Sequence, residues 1–273
     1  MYKPGFIVVS LILSYMGLAF GATEVELVNE RIADGKKKAY TIKALFLGQK
    51  SRYTFYTEED AKIGNGTYML SLDGGGTVYY IDRNSNTCYH GSSEEVLEIS
   101  SNFMLKTTDK FKLKIQEGEI RKVLEEDAGA IHGLPTKHTL ITIGFTASYK
   151  YMLFNNKYKV KRVVDVWVTP KIAGINDQGI FQRAWEYTGD EELDQELRAI
   201  IGTGNNYRLR SEINQTMVDK KGKESSAQIL QYVKSITEID DLPEDAFRLP
   251  ECKEIDAKKM EKNFKALLKA LLK

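Results

Sequence analysis

Residues Lys110–Gln116 read KFKLKIQ. Phe111, Leu113 and Ile115 fall on one side of an extended chain, and Lys110, Lys112 and Lys114 on the other. This is period two, the mark of a strand with one dry and one wet face. The same alternation returns in Thr67–Leu72 (TYMLSL), where Tyr68, Leu70 and Leu72 share a side. It returns again in Val163–Thr169 (VVDVWVT), with Val164, Val166 and Val168 on one side. A single layer of such strands has to cover its dry side, and whatever covers it decides the function.

Working outward, the strand reading covers Lys38–Phe46 and Ser51–Tyr56, a hairpin around Leu47-Gly48-Gln49-Lys50. Thr67–Leu72 then meets Thr77–Ile81 across Asp73-Gly74-Gly75-Gly76. The three glycines lack the strand-to-helix setting and Lys-Ser/Thr ending of a phosphate loop, so they read as a turn. Ser93–Met104 reads as a capped helix and Asp190–Ile201 as a second, closed by Gly202. Further strands are expected over Thr139–Leu153, Tyr158–Thr169, Tyr207–Met217 and Ala227–Glu238. Glu117-Gly118-Glu119 reads as a turn and Thr23–Arg31 as a short lead-in with helical character. The order predicts one α+β domain, an antiparallel sheet with helices on one face.

The 273 residues are 42% apolar and 28% charged, with a formal net charge of +1. That balance excludes a disordered chain and gives no bulk electrostatic basis for nucleic acid. Lys3 followed by the apolar run Phe6–Leu18 and the small residues around Gly21 reads as a signal peptide over residues 1–22, cleaved near Gly21 or Ala22. Export into the periplasm places Cys88 and Cys252 where thiols oxidise, which makes them a candidate disulfide pair.

Three stretches together resemble a known family. They are Ile131–His138 (IHGLPTKH), Asp165–Thr169 (DVWVT) and Leu242–Pro250 (LPEDAFRLP). In that order and spacing they are similar to an uncharacterised family of exported bacterial domains related in fold to the LolA/LppX lipoprotein-carrier superfamily. The resemblance spans residues 39–255 and implies a curved antiparallel sheet, an incomplete half-barrel wrapped around helices, with an apolar hollow between. Relatives of that fold carry lipids or acyl chains across the periplasm. Where they often have Gly-Tyr after the final Pro, this chain has Glu251-Cys252.

No catalytic constellation emerges. The three histidines, His90, His132 and His138, make no HExxH pattern, and there is no GxSxG elbow. His132 and His138 lack metal-site spacing, although folding can bring them to Asp165. Neither a metal nor a cofactor is expected. The strand aromatics Tyr53, Phe55, Tyr68, Tyr80, Phe145, Tyr149 and Tyr151 serve either as core packing or as the lining of an acyl-chain cavity. A sixteen-carbon chain gains on the order of 10 kcal/mol gross at about 0.8 kcal/mol per CH₂, so lipid binding needs no special motif.

Residues 256–273 read as a separate basic tail helix. Met260, Phe264, Leu267, Leu268 and Leu271 share one face, opposite Lys258, Lys262, Lys265, Lys269 and Lys273. Phe264, Lys265, Leu268 and Lys269 are its candidate contacts with a membrane or partner; the alternative is docking on its own domain. The function expected is a non-catalytic carrier for a lipid or acyl chain, with ligand-binding residues Tyr68, Leu70, Leu72, Phe111, Leu113, Ile115, Val164, Val166 and Val168. The alternative is an envelope structural or interaction protein with a filled core.

Overall fold

A computed structural model describes residues 21–33, 35–57, 67–93, 95–96, 114–151, 154–170, 172, 195–196, 199–200 and 206–263. Among the described residues twelve strands form one sheet. In chain order they are β1 (Ala22–Ala33), β2 (Lys36–Leu47), β3 (Lys50–Thr57), β4 (Thr67–Ser71), β5 (Thr77–Asp82) and β6 (Thr87–Ser92), followed by β7 (Lys114–Ile131), β8 (Leu134–Tyr151), β9 (Phe154–Thr169), β10 (Tyr207–Asp219), β11 (Glu224–Ile239) and β12 (Lys253–Glu254). The spatial order is β12-β6-β5-β4-β3-β2-β1-β11-β10-β9-β8-β7. Each pair is antiparallel except β12 with β6. The architecture is a large open antiparallel sheet.

Two meanders meet at β1, which pairs with β2 on one side and β11 on the other. Thr23–Arg31 is therefore a central strand and not a helical lead-in. Its Glu and Arg residues favour helix by propensity, but Val25 and Leu27 alternate at period two and are buried between two neighbours. The Glu117-Gly118-Glu119 turn is also corrected. These residues run on within β7, where the register against β8 shifts between Gln116 and Glu119, a bulge in place of a reversal. Of KFKLKIQ, Lys114–Gln116 open β7, with Ile115 opposite Ala147. Phe111 and Leu113 lie outside the described residues, as do most of the two helices expected at 93–104 and 190–201; Ser93, Glu95, Val96 and Ile200 within them are helical.

The register defines the faces. Val25, Ala44, Tyr53, Met69, Tyr80 and Tyr89 are successive partners from β1 to β6. All six are buried, which makes one dry row across six strands. Side chains two apart share a side, so Val25 and Arg31 of β1 face the same way. From Arg31 the next row runs through Ile229, Ile213, Val164 and Ile141. The apolar clusters of both halves of the sheet thus lie on one front face.

Residues outside the sheet cover this face. Val96, Ile172, Ile255 and Met260 pack in the larger cluster and Ile200 against the smaller. Residues 257–263 are helical, with Met260 buried and Ala257 packed on the core, so the described start of the tail docks on its own domain. Phe264, Lys265, Leu268 and Lys269 lie outside the described residues. Among the described residues no helix is long and apolar enough to cross a membrane.

The back of β4–β6 is buried as well. Tyr68, Leu70 and Ile81 cluster there with Leu72, Cys88 and Phe247. The chain after β11 wraps this face. Arg52 donates from Nη1 to the Ala246 carbonyl at 3.1 Å, and its guanidinium lies 4.2 Å from the Tyr68 ring centre. Cys88 and Cys252 are joined in a disulfide, Cα to Cα 5.7 Å. The bond sits beside β12, which covers the free edge of β6.

Candidate functional site: the dry face and the bulged seam

The front face is not uniformly apolar. Between its two clusters runs a row of partners, Asn29, Gln231, Ser211 and Val166. Asn29 and Ser211 are buried, as is Arg208, whose Nη1 donates to Gln231 Oε1 at 3.3 Å. Among the described residues the Asn29 Nδ2 amide is buried without a hydrogen-bond partner, at 8% residue exposure. An unsatisfied buried donor costs about 1–3 kcal/mol. Further along, Arg162 stands among apolar side chains between Ile143 and Gln215. It donates from Nε to Gln215 Oε1 at 2.7 Å and stacks over Phe145 at 5.3 Å. Burial pushes its guanidinium pKa below the ordinary arginine value.

Two bulges lie side by side at this seam. The β10–β9 register shifts between Arg208 and Arg210, and β11 carries an extra residue opposite Glu26/Leu27. Beside them opens a cleft of about 390 Å³ lined by Glu30, Ile131, Leu209, Arg210, Tyr232 and Val233, together with Leu230. That volume falls within the roughly 300–1,000 Å³ of small-molecule sites. Ile131 arrives from the β7–β8 hairpin, whose tip bends over the sheet. His132 at that tip donates from Nε2 to the Val233 carbonyl at 2.8 Å, the tautomer a carbonyl partner requires. Three strand spacings of about 4.8 Å separate β8 from β11 in a flat sheet, beyond the reach of an imidazole, so the hairpin end curls. Gly129 and Gly133, with φ of 78° and 74°, supply the backbone freedom for it.

His138 departs from His132. Its Nε2 lies 2.8 Å from Asp165 Oδ1 and its Nδ1 3.4 Å from Glu126 Oε1. Its ring stacks on Trp167 at 4.5 Å, and the Arg210 guanidinium lies over that indole at 4.8 Å. Register explains the stack, since His138, Trp167 and Arg210 are successive partners on β8, β9 and β10. Folding thus brings His138, but not His132, to Asp165. Among the described residues no three His, Cys, Asp or Glu side chains are grouped to hold a metal. His90 pairs with Glu254 at 2.9 Å, beside β12.

The expected ligand residues separate into two groups. Val164, Val166 and Val168 are buried in the smaller front cluster, while Tyr68 and Leu70 lie in the back cluster with Leu72 against them. In β4 the front position belongs to Met69. The sequence reading missed Asn29, Arg162 and the β10–β11 seam. An arginine between Val160 and Val164 at period two is the signal in the sequence that identifies Arg162.

No family model and no curated protein matches the chain. Several solved structures are similar to it, three of them as follows. One is PNGF-II, at 12% identity and a TM-score of 0.37, over 88% of this chain and 32% of that one. The chain therefore spans about a third of the length of PNGF-II. Another is a DUF1329 family protein from Desulfovibrio piger, at 10% identity and a TM-score of 0.32, over 84% and 90% of the two chains. The third is a putative outer membrane lipoprotein-sorting protein domain from Vibrio parahaemolyticus, at 8% identity and a TM-score of 0.28, over 89% and 92%. The fold is a large open antiparallel sheet, set by strand order and register.

Proposed function

We propose that this protein is a non-catalytic, exported binding or carrier module for an apolar ligand, a lipid or acyl chain, held against the front face of its sheet in a half-barrel. The carrying observation is that, among the described residues, a single sheet carries two apolar clusters on its front face, covered by residues such as Ile172, Ile200 and Met260 and not by a second sheet. A layer packed on a sheet face meets it through side chains and not through a ladder of backbone hydrogen bonds. Val164, Val166 and Val168 line the ligand side. The unpartnered Asn29 amide suits an ester or carboxyl oxygen at the seam. The Cys88–Cys252 bond fits an oxidising periplasm.

Displacement of a fluorescent fatty acid by phospholipid tests this reading. Saturable uptake and competition are expected. A probe that stays dark with the folded protein favours the second reading, an envelope interaction protein. The complete burial of Ile141, Leu209 and Met260 supports that alternative.

A further inference from the structure

Three hairpin ends meet along one edge of the sheet. Ala33 of β1 lies opposite Lys36 of β2 and Ala227 of β11. Val218 of β10 lies opposite Glu224 of β11 and Lys159 of β9. The start of β2, the β10–β11 turn and the first half of β9 are therefore neighbours.

Each contributes a run of lysines. Lys36, Lys37 and Lys38 open β2, Lys220, Lys221 and Lys223 occupy the β10–β11 turn, and Lys157, Lys159 and Lys161 alternate along β9. All but Lys38 are exposed, and Arg31 is exposed beside them. The described carboxylates near this edge are Glu30, Glu119, Glu212, Asp219 and Glu224; Asp34 lies in the sequence of the β1–β2 turn, and Glu58, Glu59 and Asp60 follow β3 in the sequence. Four of the five are engaged within the protein, Glu119 with Arg121 and Glu212 with Asn214 and Gln228. Glu30 pairs with Lys37 at 2.8 Å, and Asp219 Oδ1 accepts the backbone N–H groups of Lys221 and Lys223, each at 2.8 Å. The opposite end of the sheet is acidic, with Glu125, Glu126 and Asp127 on β7 and Asp240 and Asp241 after β11. One end of the sheet thus gathers exposed lysines from three strand ends, with most of the described carboxylates there already engaged.

We propose that this basic rim docks the protein on an anionic lipid surface. Two features favour a bilayer over nucleic acid. Ile229 on the front face and Ile32 on the back, 41% and 37% exposed, flank this end of the sheet, where an end-on approach brings them to a headgroup layer. The cations are nearly all lysines, compact charges suited to a diffuse anionic surface; readers of phosphate and base edges rely on the planar arginine fork. The docking does not depend on the carrier reading, though the front face reaches this end through Ile213, Met217 and Val160.

Vesicle flotation of the full chain tests the proposal, comparing phosphatidylcholine vesicles with and without phosphatidylglycerol. Binding is expected only with phosphatidylglycerol, and loss is expected in about 0.5 M salt, where screening acts within about 4 Å. The triple variant Lys220→Gln, Lys221→Gln, Lys223→Gln is expected to lose binding by roughly tenfold or more. The variant Lys258→Gln, Lys259→Gln, Lys262→Gln, equal in charge change but on the tail, is expected to keep it. Both are checked for an unchanged melting temperature. The proposal is overturned by equal losses in the two variants, by equal binding to neutral vesicles, by no vesicle binding, or by binding to an RNA homopolymer in place of vesicles. Fatty-acid uptake is measured in parallel, so failure of the rim and failure of the carrier reading are read separately.

Discussion

The His132 imidazole reaches the Val233 carbonyl at 2.8 Å, tying the tip of the β7–β8 hairpin to a strand three places away in the sheet. Ile131 and Leu134 pack on the core around this bond. Replacing His132 with Ala removes one hydrogen bond and is expected to cost about 1 kcal/mol. Amide exchange across residues 128–136 should accelerate more than in β1 or β11. Uniform acceleration through the sheet would show that the tip is held by other contacts.

Cys88 and Cys252 close a loop across a sequence separation of 164. On the chain-entropy model that bond contributes about 5 kcal/mol. A Cys88→Ala, Cys252→Ala variant should unfold at lower denaturant, with a loss of about 3–5 kcal/mol. Limited proteolysis should then cut first within 240–256, the segment the bond pins to the back face.

Asn29 links stability to function. Its Nδ2 donor is buried without a partner among the described residues, so Asn29→Leu should raise the unfolding free energy by about 1 kcal/mol. If the amide serves a ligand oxygen, the same variant should bind the fatty-acid probe more weakly. Gains in both stability and affinity would remove Asn29 from the site. Leu70→Ala on the back face is expected to cost about 3 kcal/mol while leaving probe affinity unchanged.

Much of this layout was legible in the sequence. TYMLSL and VVDVWVT became β4 and β9, and Gly48-Gln49 became the two-residue turn between β2 and β3. Alternation could not say which side of β4 was which, because all five residues of the strand are buried. Tyr68 and Leu70 looked like a ligand wall for that reason. Most of β7 was unreadable for the opposite reason. Residues 121–130 are exposed on an overhanging edge strand, so no dry face imposes a period. The seam at Asn29 and Arg208 depends on register between strands far apart in sequence, which periodicity within one strand does not encode.

Two turn carboxylates should titrate low. Backbone hydrogen bonds, from Lys223 to Asp219 and from Thr77 to Asp73, hold both carboxyls below the ordinary aspartate value of 3.8. A lowered folded-state pKa contributes stability that is present above the unfolded value and is lost as pH falls through the folded one. NMR titration should place both midpoints below 3.8, and Asp219→Asn should flatten the decline of stability in that acid window. Midpoints at or above the ordinary value would show that the turns are open in solution.

The carrier account is tested most directly by native mass spectrometry of the protein purified from a bacterial periplasm without detergent. The account predicts a second mass series offset by that of a phospholipid or fatty acid, which collapses to the bare chain on organic extraction. A single series at the mass of the bare chain, with no lipid recovered in the extract and no uptake of added fatty acid, would contradict it.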